Sequence, residues 1–274
     1  MNAKMHFISG LPRSGSTLLS SLLRQNPRMH AGMTSPVSHL VNAVLRETSM
    51  RHEDAVFIDD DIRKALVRGV FDVYYKDVAP GDVVFDTSRG WTTKMAVLSE
   101  LYPAFRMICC VRNPAWIIDS IETITQKHPF ELSGIFSFEP GGTIYSRSEA
   151  LAGPKGMMGY ALNALREGIY SKHKSRIMLV RYESLVRDTR AVLEQIYDFI
   201  DEPYFEGHDP TNIPPSYDMM EFDRRLGTPG LHDVGDRVVH IPRKTILPPD
   251  LFARFEEAAF WEEAEFQISE LITA

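Results

Sequence analysis

Cysteine is nearly absent: Cys109 and Cys110 are the only two in 274 residues, and they are neighbours inside the apolar run MICCV. Adjacent residues on a strand point to opposite faces, so the two do not form a disulfide with each other. They read as buried structural thiols rather than a metal or redox centre. Long hydrophobic runs are missing as well, so no segment suits insertion into a bilayer. No leader pattern precedes the first apolar run, which begins by about Lys4. These absences lead to the expectation of a soluble, cytoplasmic protein. Positive charge is also short: 30 basic residues face 37 acidic ones, a net charge of −7. That balance argues against nucleic acid as the main partner. Repeats, low-complexity tracts and interdomain linkers are lacking too, so residues 1–274 read as one domain with a substantial core.

What the chain does have is short apolar runs alternating with helical patterns. This arrangement predicts an α/β fold of the P-loop-like, three-layer kind, a central and mostly parallel sheet flanked by helices. Strands are expected at MHFIS (5–9), DVVFD (82–86), FRMICCV (105–111) and RIMLVRY (176–182), with helices from Ser16, about Thr92, Pro114 and about Glu183. Asn113-Pro114 is a helix start, a side-chain cap followed by a proline whose missing N–H does no harm there. In TRAVLEQIYDFI, Leu193, Ile196, Phe199 and Ile200 share one helical face and belong to the core. Two or three helices are expected within 38–78. Segments 128–159 and 209–249 are rich in glycine, proline and polar residues and read as long loops, the first of them a lid or binding loop.

The stretch FISGLPRSGSTLLSSLL carries the first chemistry. A strand ends at Gly10, a loop follows, and a helix begins at Ser16. Backbone N–H groups and the positive end of a helix dipole then face a common point, an anion site. Arg13 adds a cationic fork, Gly15 close approach, and Ser14, Ser16 and Thr17 hydroxyl donors. The lysine that a nucleoside-triphosphate loop places after its second glycine is missing. Asp86, ending VVFD, is an acidic strand end suited to Mg²⁺, which keeps an ATP-dependent P-loop kinase as one alternative.

The loop LPRSGSTLL resembles the phosphosulfate loop of sulfotransferases that use 3′-phosphoadenosine 5′-phosphosulfate (PAPS). In MICCVRNPAWIIDS, Arg112 at a strand end and Ser120 on the next helix resemble the family's clamp on the ribose 3′-phosphate. LVRYESLVRDT resembles the segment whose tyrosine, here Tyr182, lies by the nucleotide in the tyrosylprotein branch. With LPPDLFARFEEAAFW near the C-terminus, the likeness covers most of the chain, and it is that of a bacterial stand-alone enzyme nearer the tyrosylprotein branch than the phenol and steroid branch. It implies PAPS as co-substrate, no metal, and a hydroxyl-bearing acceptor that is a sugar, lipid, phenol or peptide. Arg13 would stabilise the phosphate that leaves as the S–O bond breaks.

The base that would take the acceptor's proton does not follow from the resemblance. Met33 and Thr34 stand about where the tyrosylprotein branch has its glutamate, and the strand-end lysine of relatives is absent from FDTSRGW, where Arg89 could orient the sulfuryl group instead. Asp86, His30 and His39 are the candidates for the base, with Asp86 favoured. A catalytically inactive nucleotide-binding protein is the other alternative, and neither the acceptor nor an oligomeric state is encoded in a recognisable motif.

Overall fold

The computed structural model describes residues 3–138, 142–214, 217–240, 242, 244–262 and 271–272. Its strands are β1 (Lys4–Gly10), β2 (Met29–Ala31), β3 (Val83–Thr87), β4 (Met107–Val111), β5 (Ile177–Arg181) and β6 (Leu271–Ile272). They form one sheet in the order β2-β3-β1-β4-β5-β6, with every pairing parallel. The expected architecture is therefore present, and parallel throughout. The chain builds β2 and β3 on one side of β1 and then crosses to β4 on the other, so a crevice opens at the carboxyl end of β1, the place where ligands of such sheets collect.

Each face of the sheet carries its own apolar core. Phe7, Val84, Cys109 and Leu179 point into one, Ile8, Phe85, Cys110 and Val180 into the other. The two cysteines thus separate as strand geometry requires, both free and fully buried, and burial pushes the Cys110 thiol up to about 12. On the first face lie α2 (Val37–Glu47), α3 (Asp60–Tyr74), α4 (Met95–Leu101), α5 (Pro114–Lys127), α6 (Ile144–Ala152), α7 (Met157–Tyr170) and α11 (Pro249–Glu256). Phe7 is central there, its ring edge-on to Phe71, Trp91 and Phe105 at 5.2–6.1 Å between centroids. The second face is covered by α1 (Ser16–Leu23), α8 (Tyr182–Arg187) and α9 (Thr189–Phe199).

Segment 38–78 contains α2, α3 and a short 3₁₀ turn between them, as the sequence pattern predicts. Four expectations change. The short edge strands β2 and β6 were not foreseen. A 3₁₀ turn, Trp91–Lys94, precedes α4, which starts at Met95 rather than Thr92. Tyr182 opens α8 instead of ending β5. The segments read as loops contain α6 and α10 (Tyr217–Arg225).

Candidate active site

The loop between β1 and α1 is folded around two glycines that no other residue could replace without strain. Gly10 has φ 106°, and a Cβ there would stand 2.1 Å from the Cys110 carbonyl oxygen, so its absence lets β1 and β4 close together. Gly15 has φ 94°, and a Cβ there would meet the Tyr182 ring at 3.0 Å. Arg13, at φ 55°, occupies the left-handed region without glycine's freedom, a conformation that costs roughly 1–2 kcal/mol. Its side chain offsets that cost. Nε donates to Ser120 Oγ at 3.0 Å, and Nη1 donates to the Leu231 carbonyl. Ser14 is turned away from the loop's open side. Its fully buried hydroxyl bonds the carbonyls of Leu11 and, at 2.9 Å, Cys110. The expectation that Ser14 offers its hydroxyl to an anion is corrected: that group fastens the loop to β4.

Arg112 follows β4 directly. Its Nη1 donates to the Arg13 carbonyl at 3.3 Å, its guanidinium carbon lies 4.3 Å from the centre of the Tyr182 ring, and Nε is 3.7 Å from Glu183 Oε1. Asn113 caps α5 by accepting the Ala115 N–H at 3.0 Å, with Pro114 at the first turn. The loop before α1 and the loop before α5 therefore meet, with Arg13 and Arg112 between two helix N-termini. Burial first, and then the neighbouring Arg112, hold the Arg13 guanidinium below its usual range. An anion placed between them would relieve that repulsion.

A cavity of about 280 Å³ opens here. Arg13, Gly15, Ser16, Thr17, Arg112 and Tyr182 line one side of it, and Ser120 stands behind them as Arg13's partner. Arg89 lines it too, accessible from the cavity yet surrounded by protein, which lowers its guanidinium pKa. Among the described residues its side chain has no hydrogen-bond or ion-pair partner. Met33, Met157, Phe222 and Leu226 give the remaining wall an apolar character.

None of the three expected bases lines this cavity. Asp86 is fully buried under the sheet and accepts three hydrogen bonds, from Ser35 Oγ (2.6 Å), Tyr75 Oη (2.6 Å) and Trp91 Nε1 (2.7 Å). Burial raises its pKa despite those donors. It anchors the entry to α2, the end of α3 and the turn before α4, and has no free approach for an acceptor. His30, on edge strand β2, is paired with Asp82 at 2.8 Å. His39 is exposed on α2.

The structure supplies an imidazole that sequence reasoning missed. His232 lines the cavity, and its Nδ1 is 2.5 Å from Oδ1 of Asp223, a nearly inaccessible residue on α10. Oδ2 of Asp223 accepts the backbone N–H of His232 at 2.7 Å.

A sequence profile of the sulfotransferase family matches residues 6–206. A protein-tyrosine sulfotransferase of Drosophila melanogaster is 24% identical over 207 residues, which are 72% of this chain and 38% of that protein. The chain thus spans well under half the length of that curated relative. Among solved structures, the sulfotransferase domain from the Synechococcus PCC 7002 olefin synthase superposes with a TM-score of 0.52 at 19% identity, covering 96% of each chain. A mouse sulfotransferase complexed with PAP gives a TM-score of 0.55 at 13% identity, covering 98% of this chain and 87% of that one. Likeness at these identities is likeness of fold.

Proposed function

The chain belongs to the sulfotransferase family, and we propose that it is a single sulfotransferase domain moving a sulfuryl group from PAPS to a hydroxyl acceptor. One observation carries this reading: two guanidinium groups from two different strand ends, Arg13 and Arg112, are brought together between the N-termini of α1 and α5. A nucleotide with phosphates at both ends of its ribose needs two anion sites side by side, and a kinase loop provides one with a lysine. The residues fit the group. Arg13, Gly15, Ser16 and Thr17 would take the 5′-phosphosulfate, and Arg112 with Ser120 the 3′-phosphate. Tyr182, under the Arg112 guanidinium, would border the nucleotide.

When bound, PAPS supplies an activated sulfuryl group on a phosphate leaving group. Arg13 holds positive charge where negative charge grows as the S–O bond breaks, and its rigid attachment to Ser120 and Leu231 keeps it there without reorganisation. Arg89, lacking a protein partner among the described residues, is the group best suited to the sulfuryl oxygens, the place given in the sequence to a missing lysine. The apolar wall of Met33, Met157, Phe222 and Leu226 suits an acceptor with a nonpolar body behind its hydroxyl.

Isothermal titration tests the reading. Adenosine 3′,5′-bisphosphate (PAP) should bind at least ~10-fold more tightly than ATP with Mg²⁺, a difference of about 1.4 kcal/mol, and its binding should be insensitive to EDTA. Tighter binding of ATP with Mg²⁺ would make the chain a kinase instead.

A further inference from the structure

The last residues of α10 and the turn that follows hold a carboxylate–imidazole pair whose imidazole, His232, is on the cavity wall. Asp223 holds His232 at two points, ring and backbone, with its own side chain 3% exposed. A carboxylate accepts only, so Nδ1 donates the proton between them, and in the neutral imidazole the lone pair is then on Nε2. The Phe222 ring packs edge-on to the imidazole, 5.6 Å between centroids, and closes it from that direction. The turn is set by hydrogen bonds from Thr228 N to the Asp223 carbonyl and from Leu231 N to the Thr228 carbonyl. One residue before His232, the carbonyl of Leu231 accepts the Arg13 guanidinium. The segment carrying the imidazole is thus tied to the same arginine that reaches into the phosphate loop. A base must lie within reach of the reacting atoms, and His232 lines the same cavity as Arg13, Arg89, Ser16 and Thr17.

We propose that His232 is the general base of the transfer and that Asp223 is its positioning residue. The inference rests on the sulfotransferase reading above. In the step it describes, the acceptor oxygen forms its bond to sulfur as its proton passes to Nε2 of His232. The bond between sulfur and the bridging oxygen of the 5′-phosphate breaks, and its electron pair leaves on that oxygen. Asp223 steadies the imidazolium until the proton passes to water. The pair is drawn from the C-terminal part of the chain, beyond the matched residues 6–206.

The test uses the full chain with [³⁵S]PAPS and a panel of acceptors comprising water, phenols, glycosides and a tyrosine peptide, with PAP affinity measured in parallel. His232→Gln should lower transfer by ~10²–10⁴-fold, the usual size of base catalysis, and leave PAP affinity within a few-fold. His232→Ala should regain transfer when imidazole is added, which a merely structural histidine would not do. Asp223→Asn should lower kcat and keep the nucleotide affinity. Transfer by His232→Gln within a few-fold of wild type overturns the assignment, and so does a loss that follows PAP affinity and is not rescued by imidazole. Failure of the wild type to bind PAP overturns the sulfotransferase reading itself. Binding of PAP without transfer to any acceptor, water included, makes the chain a nucleotide-binding protein with no base.

Discussion

Arg112 touches three things at once: the Arg13 carbonyl, the Tyr182 ring and the carboxylate of Glu183. The pair with Glu183 is long, at 3.7 Å, and partly solvated, so it satisfies the guanidinium less well than a phosphate would. Arg112→Ala should therefore weaken PAP binding by ~1.5–3 kcal/mol. Affinity for 5′-AMP, which lacks the 3′-phosphate, should change much less. Equal losses for the two nucleotides would assign Arg112 to the loop's architecture instead. Asp86 leads to the opposite kind of expectation. Three donors converge on its carboxylate, and all three come from elements that frame the first core. Asp86→Asn leaves at least one hydroxyl or indole donor badly matched in a dry site, so stability should fall by about 1–3 kcal/mol in urea denaturation. PAP affinity and sulfuryl transfer should stay within a few-fold. A thousandfold loss of transfer at unchanged stability would return Asp86 to the chemistry.

Among the elements, the junction of β1 and β4 is the most demanding. Gly10→Ala must place a methyl group inside the Cys110 carbonyl and hold φ at 106°, two faults that small backbone shifts do not cure together. A destabilisation of about 3 kcal/mol or more is expected from equilibrium unfolding, with the loop between β1 and α1 displaced. The strands that meet at this junction were legible in the sequence because each is local, while their pairing was not. β1, β3, β4 and β5 are continuous apolar runs, and Asn113-Pro114 announces α5. Helix α6 was hidden. Its capping box uses Ser146 where a Glu or Gln is usual, with the Ser146 hydroxyl accepting the Thr143 N–H at 2.9 Å, and glycines 142 and 153 on either side read as loop. Strand β2 has only three residues, too few for a period. Arg13, Gly15, Ser16, Thr17 and Arg112, which line the cavity, were legible as a group because each sits near a strand end or helix start. Which way Ser14 faces depends on a carbonyl 96 residues away, which no local pattern reports. The Asp223–His232 pair was hidden for a related reason. Nine residues separate the partners, and the turn through Thr228 and Gly230, not a helix or strand period, brings them together.

At the scale of the whole molecule, two buried titratable groups on neighbouring strands act on stability in opposite directions. His6, on β1 beside Phe85, is 4% exposed. Its Nδ1 accepts the Arg106 N–H at 3.0 Å, and its Nε2 is buried with no partner among the described residues. Burial, and then the charges of Lys4 and Arg106, lower its pKa from 6.5 to about 4. The unfolded chain therefore binds more protons than the folded one across that window. The stabilisation from keeping His6 neutral is complete above pH 6.5 and is lost as pH falls to about 4, in total roughly 3 kcal/mol at ~1.4 kcal/mol per unit. Asp86 has the reverse sign. Its pKa is raised above 3.8 by burial, so the folded state takes up the proton first, and acid favours folding until the unfolded carboxyl also protonates. Moving from pH 7 to pH 4.5, wild type should lose stability by less than His6 alone would give. His6→Asn offers the Arg106 N–H an amide oxygen that does not titrate, so its loss should be smaller than that of wild type, or change sign. Asp86→Asn removes the compensating group, so its loss over the same interval should be larger. Urea midpoints for the three proteins at the two pH values decide the matter: equal slopes for wild type and His6→Asn would mean that the imidazole is protonated, or hydrated, within the folded sheet.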